Sequence, residues 1–452
     1  MARKDVNMLS GSIVKGLFAI SIPVMIMNVL QSIFNVVDMT VLKTFDGAGN
    51  AVGAVGVCGA LISSITGLVI GIATGANVVT ARKIGMGDQV GVDRSVRTAM
   101  AFAVTAGLVL AAIGVGCAEL FLRWTNCPEE LITEAVLYFR LYFAGVPILM
   151  VYNFCAALLR SVGNSRGPMV YLTLGGIVKL GCNFLLVGSF KMGVMGVAIA
   201  TILSWSVAAV LAVGALTKNQ SAVRLQLRRI RFYGAQMKQI LQMGIPGGIQ
   251  QAVTGFANVV VTATVNTFGQ AATTGMSIAN NFDSILYQIC TATALAVTPY
   301  VSQNVGAGNI KRAKQAVWKG CLITICLGGS FGAIAAVFSG QMASWMTDDP
   351  VAISYARTKT IIISCTYFMC GLYHVFGEAN RGMGKPMAAM ITTLMYMGIL
   401  RFVWVYLLFP LVPEFWFLCL VWPAGFILSI ATLLPIFLRT AKKLEAANRA
   451  IT

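Results

Sequence analysis

The sequence predicts an all-α membrane protein with twelve transmembrane helices, divided between two six-helix bundles that are repeats of one another. The first observation is composition: the 452-residue chain is 58% hydrophobic and only 11% charged, with a mean hydropathy of +0.81. The second is that its apolar segments are long and continuous, and the third is that short landmark sequences recur in both halves. A water-soluble fold cannot bury so much apolar surface, so the predicted solvent is lipid.

Twelve apolar segments are each long enough to cross the hydrocarbon core, which takes about 20 residues of helix because every backbone N–H and C=O must be satisfied internally. Their continuous hydrophobicity does not fit the alternating strands of an outer-membrane barrel. The first segment is too long for a signal-peptide core and lacks a small-residue cleavage site, so we expect it to be retained. The predicted spans are roughly 13–42, 52–81, 96–122, 131–159, 169–190, 192–216, 237–268, 273–303, 316–343, 351–379, 387–411 and 415–438.

The distribution of charge predicts the topology. The chain has 33 Lys and Arg against 15 Asp and Glu, a net charge of +18, and an N-terminus in the cytoplasm places most of the basic residues on cytoplasmic segments. The opposite loops are mildly acidic, as the positive-inside rule requires. We therefore expect a multi-pass protein of the plasma (inner) membrane with both termini cytoplasmic. The basic excess follows from topology and attraction to anionic membrane lipids, not from nucleic-acid binding.

Internal repeats give the domain organisation. In each half an Ile-Pro pair lies in the first helix, a Gly-x-Gly turn follows the second helix, and an Arg-x-x-Gly turn follows the fourth. The paired landmarks, Pro23 with Pro246, 85–88 with 306–309, and 160–163 with 381–384, differ in residue number by 221 to 223. Six crossings per half make the repeats parallel. We predict an N-terminal lobe (1–216), a cytoplasmic linker (217–236) and a C-terminal lobe (237–452).

At these landmarks the sequence resembles the multidrug and toxin extrusion (MATE) family over essentially its whole length. The residues that carry the resemblance are Pro23, Gln31, Asp38, the Gly85/Gly87/Asp88 turn, and the Arg160/Gly163/Pro168 turn with its second-half counterpart. The resemblance implies a V-shaped antiporter that exports organic, often cationic, compounds by alternating access in exchange for H⁺ or Na⁺. We expect a monomer without cofactors. A flippase for lipid-linked oligosaccharide, from the wider superfamily, is the alternative.

The resemblance also implies a coupling site in the first half. Asp38 lies where the family places the carboxylate that binds the coupling ion, and the family's Asn and Asp on the fifth helix are here Lys179 and Asn183. This exchange argues against a conventional Na⁺ site and favours H⁺. We hypothesise that the Lys179 ammonium occupies the place of the ion and is released when Asp38 is protonated. The alternative is a static pair that joins two helices.

The second half lacks that acidic pattern. Thr254 lies where another branch of the family has a Glu, and the charged or titratable groups within the predicted spans are instead Asp283, His374, Glu378 and Arg401. Charged groups inside a membrane are costly and indicate function. His374 and Glu378 are four residues apart on one helix face and are candidates for a proton relay, because imidazole titrates near neutral pH. A static polar network is the other reading.

Uncharged polar side chains in the predicted spans indicate the substrate path, since they hydrogen bond without fixing the charge of a ligand. The candidates are Gln31, Asn35, Asn153, Gln250, Thr254, Asn258, Asn280 and Asn281. The sequence contains no Walker A motif, HExxH helix or CxxC pair, so we predict neither an enzyme nor a metal site. Cys117 and Cys127 flank one external loop, and the sequence leaves open whether they pair.

Overall fold

The computed structural model describes residues 6–45, 50–125, 127–218 and 222–449, and these residues form helices and connecting turns without strands. The helices of the first half are α1 (Ile13–Phe45), α2 (Asn50–Gly85), α3 (Gln89–Gly116), α4 (Ala118–Trp124), α5 (Glu129–Ser161), α6 (Arg166–Asn183) and α7 (Gly193–Thr217). A π-helical segment, Phe184–Ser189, continues α6, and a 3₁₀ turn, Leu227–Arg229, follows α7.

The second half begins with α8 (Gly234–Asn266), α9 (Gln270–Gly306), α10 (Ile310–Val337) and α11 (Ser339–Ser344). It continues with α12 (Pro350–Ser364), α13 (Tyr367–Gly382), α14 (Pro386–Thr393), α15 (Leu400–Val403), α16 (Phe415–Cys419) and α17 (Val421–Arg449). The π-helical segments Leu394–Ile399 and Trp404–Leu408 flank α15, and a 3₁₀ turn, Phe409–Leu411, follows. The all-α fold class is confirmed.

Ten helices among the described residues are long and apolar enough to cross a membrane, and the bent pair α12 and α13, at 47°, makes an eleventh span. The chain is therefore a multi-pass membrane protein. The count differs from the predicted twelve at α8, which has 33 residues and is about 50 Å long. This helix is long enough to span, but polar residues such as Gln250, Gln251 and Asn258 lower its hydropathy.

The landmarks of the sequence repeat are also repeats of backbone conformation. Gly87 and Gly308 have φ of +71° and +73°, and Gly163 and Gly384 have φ of +82° and +87°. These left-handed conformations end α2, α9, α5 and α13, and each suits Gly because a Cβ would be strained there. The two halves therefore end corresponding helices with the same turn, as the sequence landmarks indicate.

Asp88 and Asn309 begin the helices that follow two of these turns. Asp88 Oδ1 accepts a hydrogen bond from Gly91 N at 2.8 Å, and Asn309 Oδ1 accepts one from Arg312 N at 3.1 Å. Asp88 Oδ2 also accepts a bond from Lys83 Nζ at 3.0 Å. The pKa of Asp88 is held below its usual value, mainly by the hydrogen bond from the Gly91 amide and to a smaller extent by Lys83. The N-cap of α3 is therefore titratable, whereas the N-cap of α10 is not.

We expect Asp88→Asn to make the thermal stability of the purified protein less dependent on acidic pH. The unfolded pKa of Asp is about 3.9. Because the folded pKa of Asp88 is lower, its contribution is complete above the unfolded value and is lost as pH falls through the folded value. Melting curves from neutral to acidic pH should show wild type losing its advantage over Asp88→Asn. Asn309→Asp is the matched control, and a pH-independent difference for Asp88→Asn would contradict the expectation.

The chain divides into two compact units, Ile26–Gly244 and Asn7–Met25 with Ile245–Thr452. These boundaries differ from those of the predicted lobes, because the first part of α1 groups with the second unit and the linker groups with the first. In the first unit Gly114 lies against Phe143, where a Cβ would come within 1.8 Å of the ring. In the second unit Gly371 lies similarly close to Thr324. Both units thus use small residues for close helix packing.

Candidate functional site

The first unit buries one carboxylate between α1 and α6. Asp38, on α1, is 7% exposed, and Lys179 and Asn183, on α6, are 8% and 0% exposed. Lys179 Nζ donates to Asp38 Oδ2, and Asn183 Nδ2 donates to Asp38 Oδ1 at 2.6 Å. The structure therefore brings together the three residues that the family resemblance implies for the coupling site of the first half.

Two glycines set the distance at which α6 packs. A Cβ on Gly176 would lie 1.9 Å from the ring of Phe34 on α1, and a Cβ on Gly175 would lie 2.5 Å from the carbonyl oxygen of Ser204 on α7. Small residues at these positions let α6 approach both neighbours closely. Lys179 and Asn183 follow one and two turns after this contact and therefore face α1 at the level of Asp38.

This arrangement holds two opposite charges together in a buried position. With Asp38 ionised, both of its oxygens accept bonds from α6 and the pair is neutral overall. Protonation of Asp38 would leave the Lys179 ammonium without a counterion in a nearly water-free position, which costs several kcal/mol. Asn183 Oδ1 is buried and has no hydrogen-bond partner among the described residues. The cluster thus retains one unsatisfied acceptor beside the ion pair.

A longer polar network lies in the second unit and centres on Arg381. Arg381 donates to Glu378 and also to Gln250 Oε1 at 2.9 Å. Gln250 Nε2 donates to the Tyr373 hydroxyl at 3.0 Å, and Glu378 accepts a bond from Thr298 Oγ1 at 2.5 Å. The network therefore connects α8, α9 and α13 through hydrogen bonds.

His374 has aromatic surroundings. Its ring lies 4.6 Å from that of Tyr373 and 5.3 Å from that of Tyr287, measured between centroids. Within the described part of the chain, no hydrogen bond joins His374 to Glu378, whose carboxylate is instead bound by Arg381 and Thr298. The structure therefore places the two residues of the predicted relay in separate surroundings.

Asp283 belongs to a third cluster, which contains a residue that was not predicted from the sequence, Lys359. Lys359 Nζ, on α12, lies 2.8 Å from Asp283 Oδ2 and donates to Asn280 Oδ1, and it also lies 5.4 Å from the ring centroid of Trp422. The Lys359 side chain is 1% exposed. The position of Lys359 within the predicted span 351–379 could have indicated it, because a lysine buried in a membrane requires a partner.

Arg401, the fourth charged residue predicted in the second half, is bound by uncharged groups. It is 3% exposed, and its Nη1 donates to Asn258 Oδ1 at 2.6 Å and to the Thr254 carbonyl oxygen at 3.5 Å. Its guanidinium carbon lies 5.7 Å from the ring centroid of Trp422. Asn258 and Thr254 thus contact a cation in this structure.

The other predicted residues are more scattered. Asn153 donates to its own helix, at the Leu149 carbonyl oxygen, and Gln31, Asn35 and Asn281 are exposed. Cys117 and Cys127 are both free thiols. The described residues contain no group of three or more His, Cys, Asp or Glu side chains able to hold a metal ion.

Comparison with known proteins decides the family. A family model described as MatE matches residues 23–185 and 246–407. The chain is a member of the MatE family. The two matched segments fall on the two sequence repeats and contain the Asp38 cluster in the first and Arg401 in the second.

Relatives and solved structures agree with the MatE assignment. The chain is 24% identical over 399 residues to the probable multidrug resistance protein YpnP of Bacillus subtilis, with 88% of this chain and 89% of the relative covered. It is 26% identical over 390 residues to the probable multidrug resistance protein NorM of Thermotoga maritima, with 84% and 82% covered. An outward-facing MATE multidrug transporter has a similar fold, with a TM-score of 0.87, 21% identity, and 99% and 100% of the two chains covered. The MatE protein is therefore a transporter and not an enzyme.

Proposed function

We propose that this MatE protein is a proton-coupled antiporter that exports organic compounds by alternating access. The observation that carries the proposal is the buried contact of Lys179 and Asn183 with both oxygens of Asp38. It works as a monomer in the plasma membrane with both termini in the cytoplasm, surrounded by lipid and without a cofactor other than the coupling ion.

H⁺ is favoured over Na⁺ because of what surrounds Asp38. Na⁺ requires several oxygen ligands and would have to bind beside a Lys179 ammonium that already occupies the carboxylate. A proton needs only one lone pair of Asp38, and it removes the charge that holds Lys179. Proton binding therefore avoids the repulsion that a hard cation would meet beside the Lys179 ammonium.

Coupling follows from the difference in energy between the two protonation states. An ion can shift a conformational equilibrium only if it binds one conformation better than the other. The ionised Asp38 favours the conformation in which α1 and α6 are joined, and the protonated Asp38 favours one in which Lys179 reaches water or an anionic group. Each transport cycle then couples the export of substrate to the entry of a proton.

Residues outside the Asp38 cluster are candidates for a second coupling group or for substrate contact. Glu378, bound by Arg381, is the candidate for a second coupling group, and Asp283, Arg401 and His374 are further candidates with other partners in the same unit. The exposed amides Gln31, Asn35 and Asn281 are candidates for substrate contact. The relatives reported above are named for multidrug resistance, which favours export of varied organic compounds over the flippase alternative.

Everted membrane vesicles test the coupling ion. We expect an imposed H⁺ gradient to drive accumulation of rhodamine 123, an organic cation, and an imposed Na⁺ gradient to have no effect. Vesicles without the protein are the control. Accumulation driven only by Na⁺ would overturn the proposed ion, and failure of both gradients with several unrelated dyes would overturn antiport itself.

A further inference from the structure

The buried charges of the second unit do not balance. Three of its buried side chains are cations, Lys359, Arg381 and Arg401. Lys359 is paired with Asp283 and Arg381 with Glu378. Arg401 forms no ion pair with any carboxylate that the structure describes. Burying an unpaired cation in a membrane protein costs free energy, and an anion bound to Arg401 would offset that cost.

Only one of the three guanidinium nitrogens of Arg401 makes hydrogen bonds among the described residues. Both bonds are made by Nη1, to Asn258 and to the Thr254 carbonyl oxygen. Nε and Nη2 donate to no group within the described ranges. A guanidinium edge with two parallel N–H donors binds carboxylate or phosphate in a bidentate manner, which is the strongest common form of charge-assisted hydrogen bond.

Trp422 adds an aromatic wall beside this cation. Its ring lies 5.7 Å from the guanidinium carbon of Arg401 and 5.4 Å from Lys359 Nζ, so two cations lie within cation–π distance of one indole. Trp422 also packs against an apolar cluster that includes Val261 and Val405. Positive potential and apolar surface therefore meet at one place in the second unit.

We propose that Arg401, Asn258 and Trp422 form a binding site for the carboxylate or phosphate of an organic anion with an apolar or aromatic body. Arg401 binds the anionic group, Asn258 fixes the guanidinium, and Trp422 contacts the apolar body. This deepens the proposed export function, on which it rests, by naming a substrate class, and it differs from the cationic substrates that the family resemblance implies. An inorganic anion would satisfy Arg401 but would make no use of the aromatic wall.

Equilibrium binding without any gradient tests the site. Purified protein in nanodiscs of uncharged lipid is titrated against fluorescein, which is anionic, and rhodamine 123, which has the same xanthene ring system but is cationic. Fluorescence anisotropy reports both. We expect fluorescein to bind wild type, and Arg401→Gln to weaken its affinity by at least about tenfold, while rhodamine 123 binding is unchanged. Arg357→Gln, which removes an exposed cation from α12, should leave fluorescein binding intact.

Arg401→Lys keeps the positive charge and therefore tests the two parallel N–H donors of the guanidinium separately. It should bind fluorescein with an affinity between those of wild type and Arg401→Gln, because an ammonium lacks two parallel donors. The proposed site would be overturned if wild type failed to bind fluorescein. It would also be overturned if wild type, Arg401→Gln and Arg401→Lys bound fluorescein with equal affinity. Displacement of fluorescein by equimolar inorganic phosphate would overturn the organic substrate class. Since no gradient is present, these outcomes are independent of the coupling ion and of the vesicle experiment.

Discussion

Asp38→Asn and Lys179→Ala should each reduce proton-driven dye export by about 5- to 150-fold, the range that corresponds to a coupling free energy of 1–3 kcal/mol. Asp38→Asn keeps the size of the side chain but cannot gain or lose the proton. Lys179→Ala keeps the Asp38 carboxylate but removes the cation that binds it only when it is ionised. Initial rates of dye accumulation in everted vesicles, normalised to the amount of protein, measure the effect.

The alternative of a static pair makes a different prediction for the same variants. If the pair only joins α1 and α6, both variants should melt at lower temperature while the remaining folded protein exports dye with the pH dependence of wild type. Lys43→Ala, which removes an exposed lysine from the end of α1, is the matched control. Wild-type export rates in both Asp38→Asn and Lys179→Ala would remove this cluster from the coupling mechanism.

Much of the fold was predictable because lipid imposes strong local rules. Continuous apolar runs predicted helices, and the glycines at 87, 163, 308 and 384 predicted the turns that the structure confirms. The bend between α12 and α13 and the reduced hydropathy of α8 were not predicted. The bend arises where one predicted span contains the end of one helix and the start of the next. The lower hydropathy of α8 comes from its polar residues. Counting the length of an apolar segment detects neither feature.

The site was less predictable where partners are far apart in sequence. Asp38 and Lys179 are separated by 141 positions, and the family pattern was what connected them. Lys359 was missed because no motif marks it, and only packing of α9 against α12 brings it to Asp283. His374 and Glu378 share a helix, but spacing on one helix does not reveal which neighbouring helices supply their partners. Here α9 supplies them, with Thr298 bonded to Glu378 and the Tyr287 ring beside His374.

Lys359→Met should destabilise the second unit by about 3–5 kcal/mol, because it leaves the Asp283 carboxylate buried without its cation. The loss is expected to be large because Asp283 Oδ1 is buried and already lacks a hydrogen-bond partner among the described residues. The Tyr367 hydroxyl, which donates to the Asp283 backbone carbonyl at 2.8 Å, cannot replace Lys359 at the carboxylate. Reversible denaturation of the purified protein measures the change, with Lys385→Met, at an exposed position, as the control.

The double variant Lys359→Met with Asp283→Leu separates the cost of an orphaned charge from the worth of the pair. A buried ion pair exchanged for apolar residues of similar volume is often neutral or stabilising, so the double variant should recover most of the stability that Lys359→Met loses. If Asp283→Leu gives no recovery, the main role of Lys359 lies in its other contacts, with Asn280 and the Trp422 ring. In that case Trp422→Leu should reproduce the larger part of the Lys359→Met effect, because the cation–π contact would be the main interaction lost.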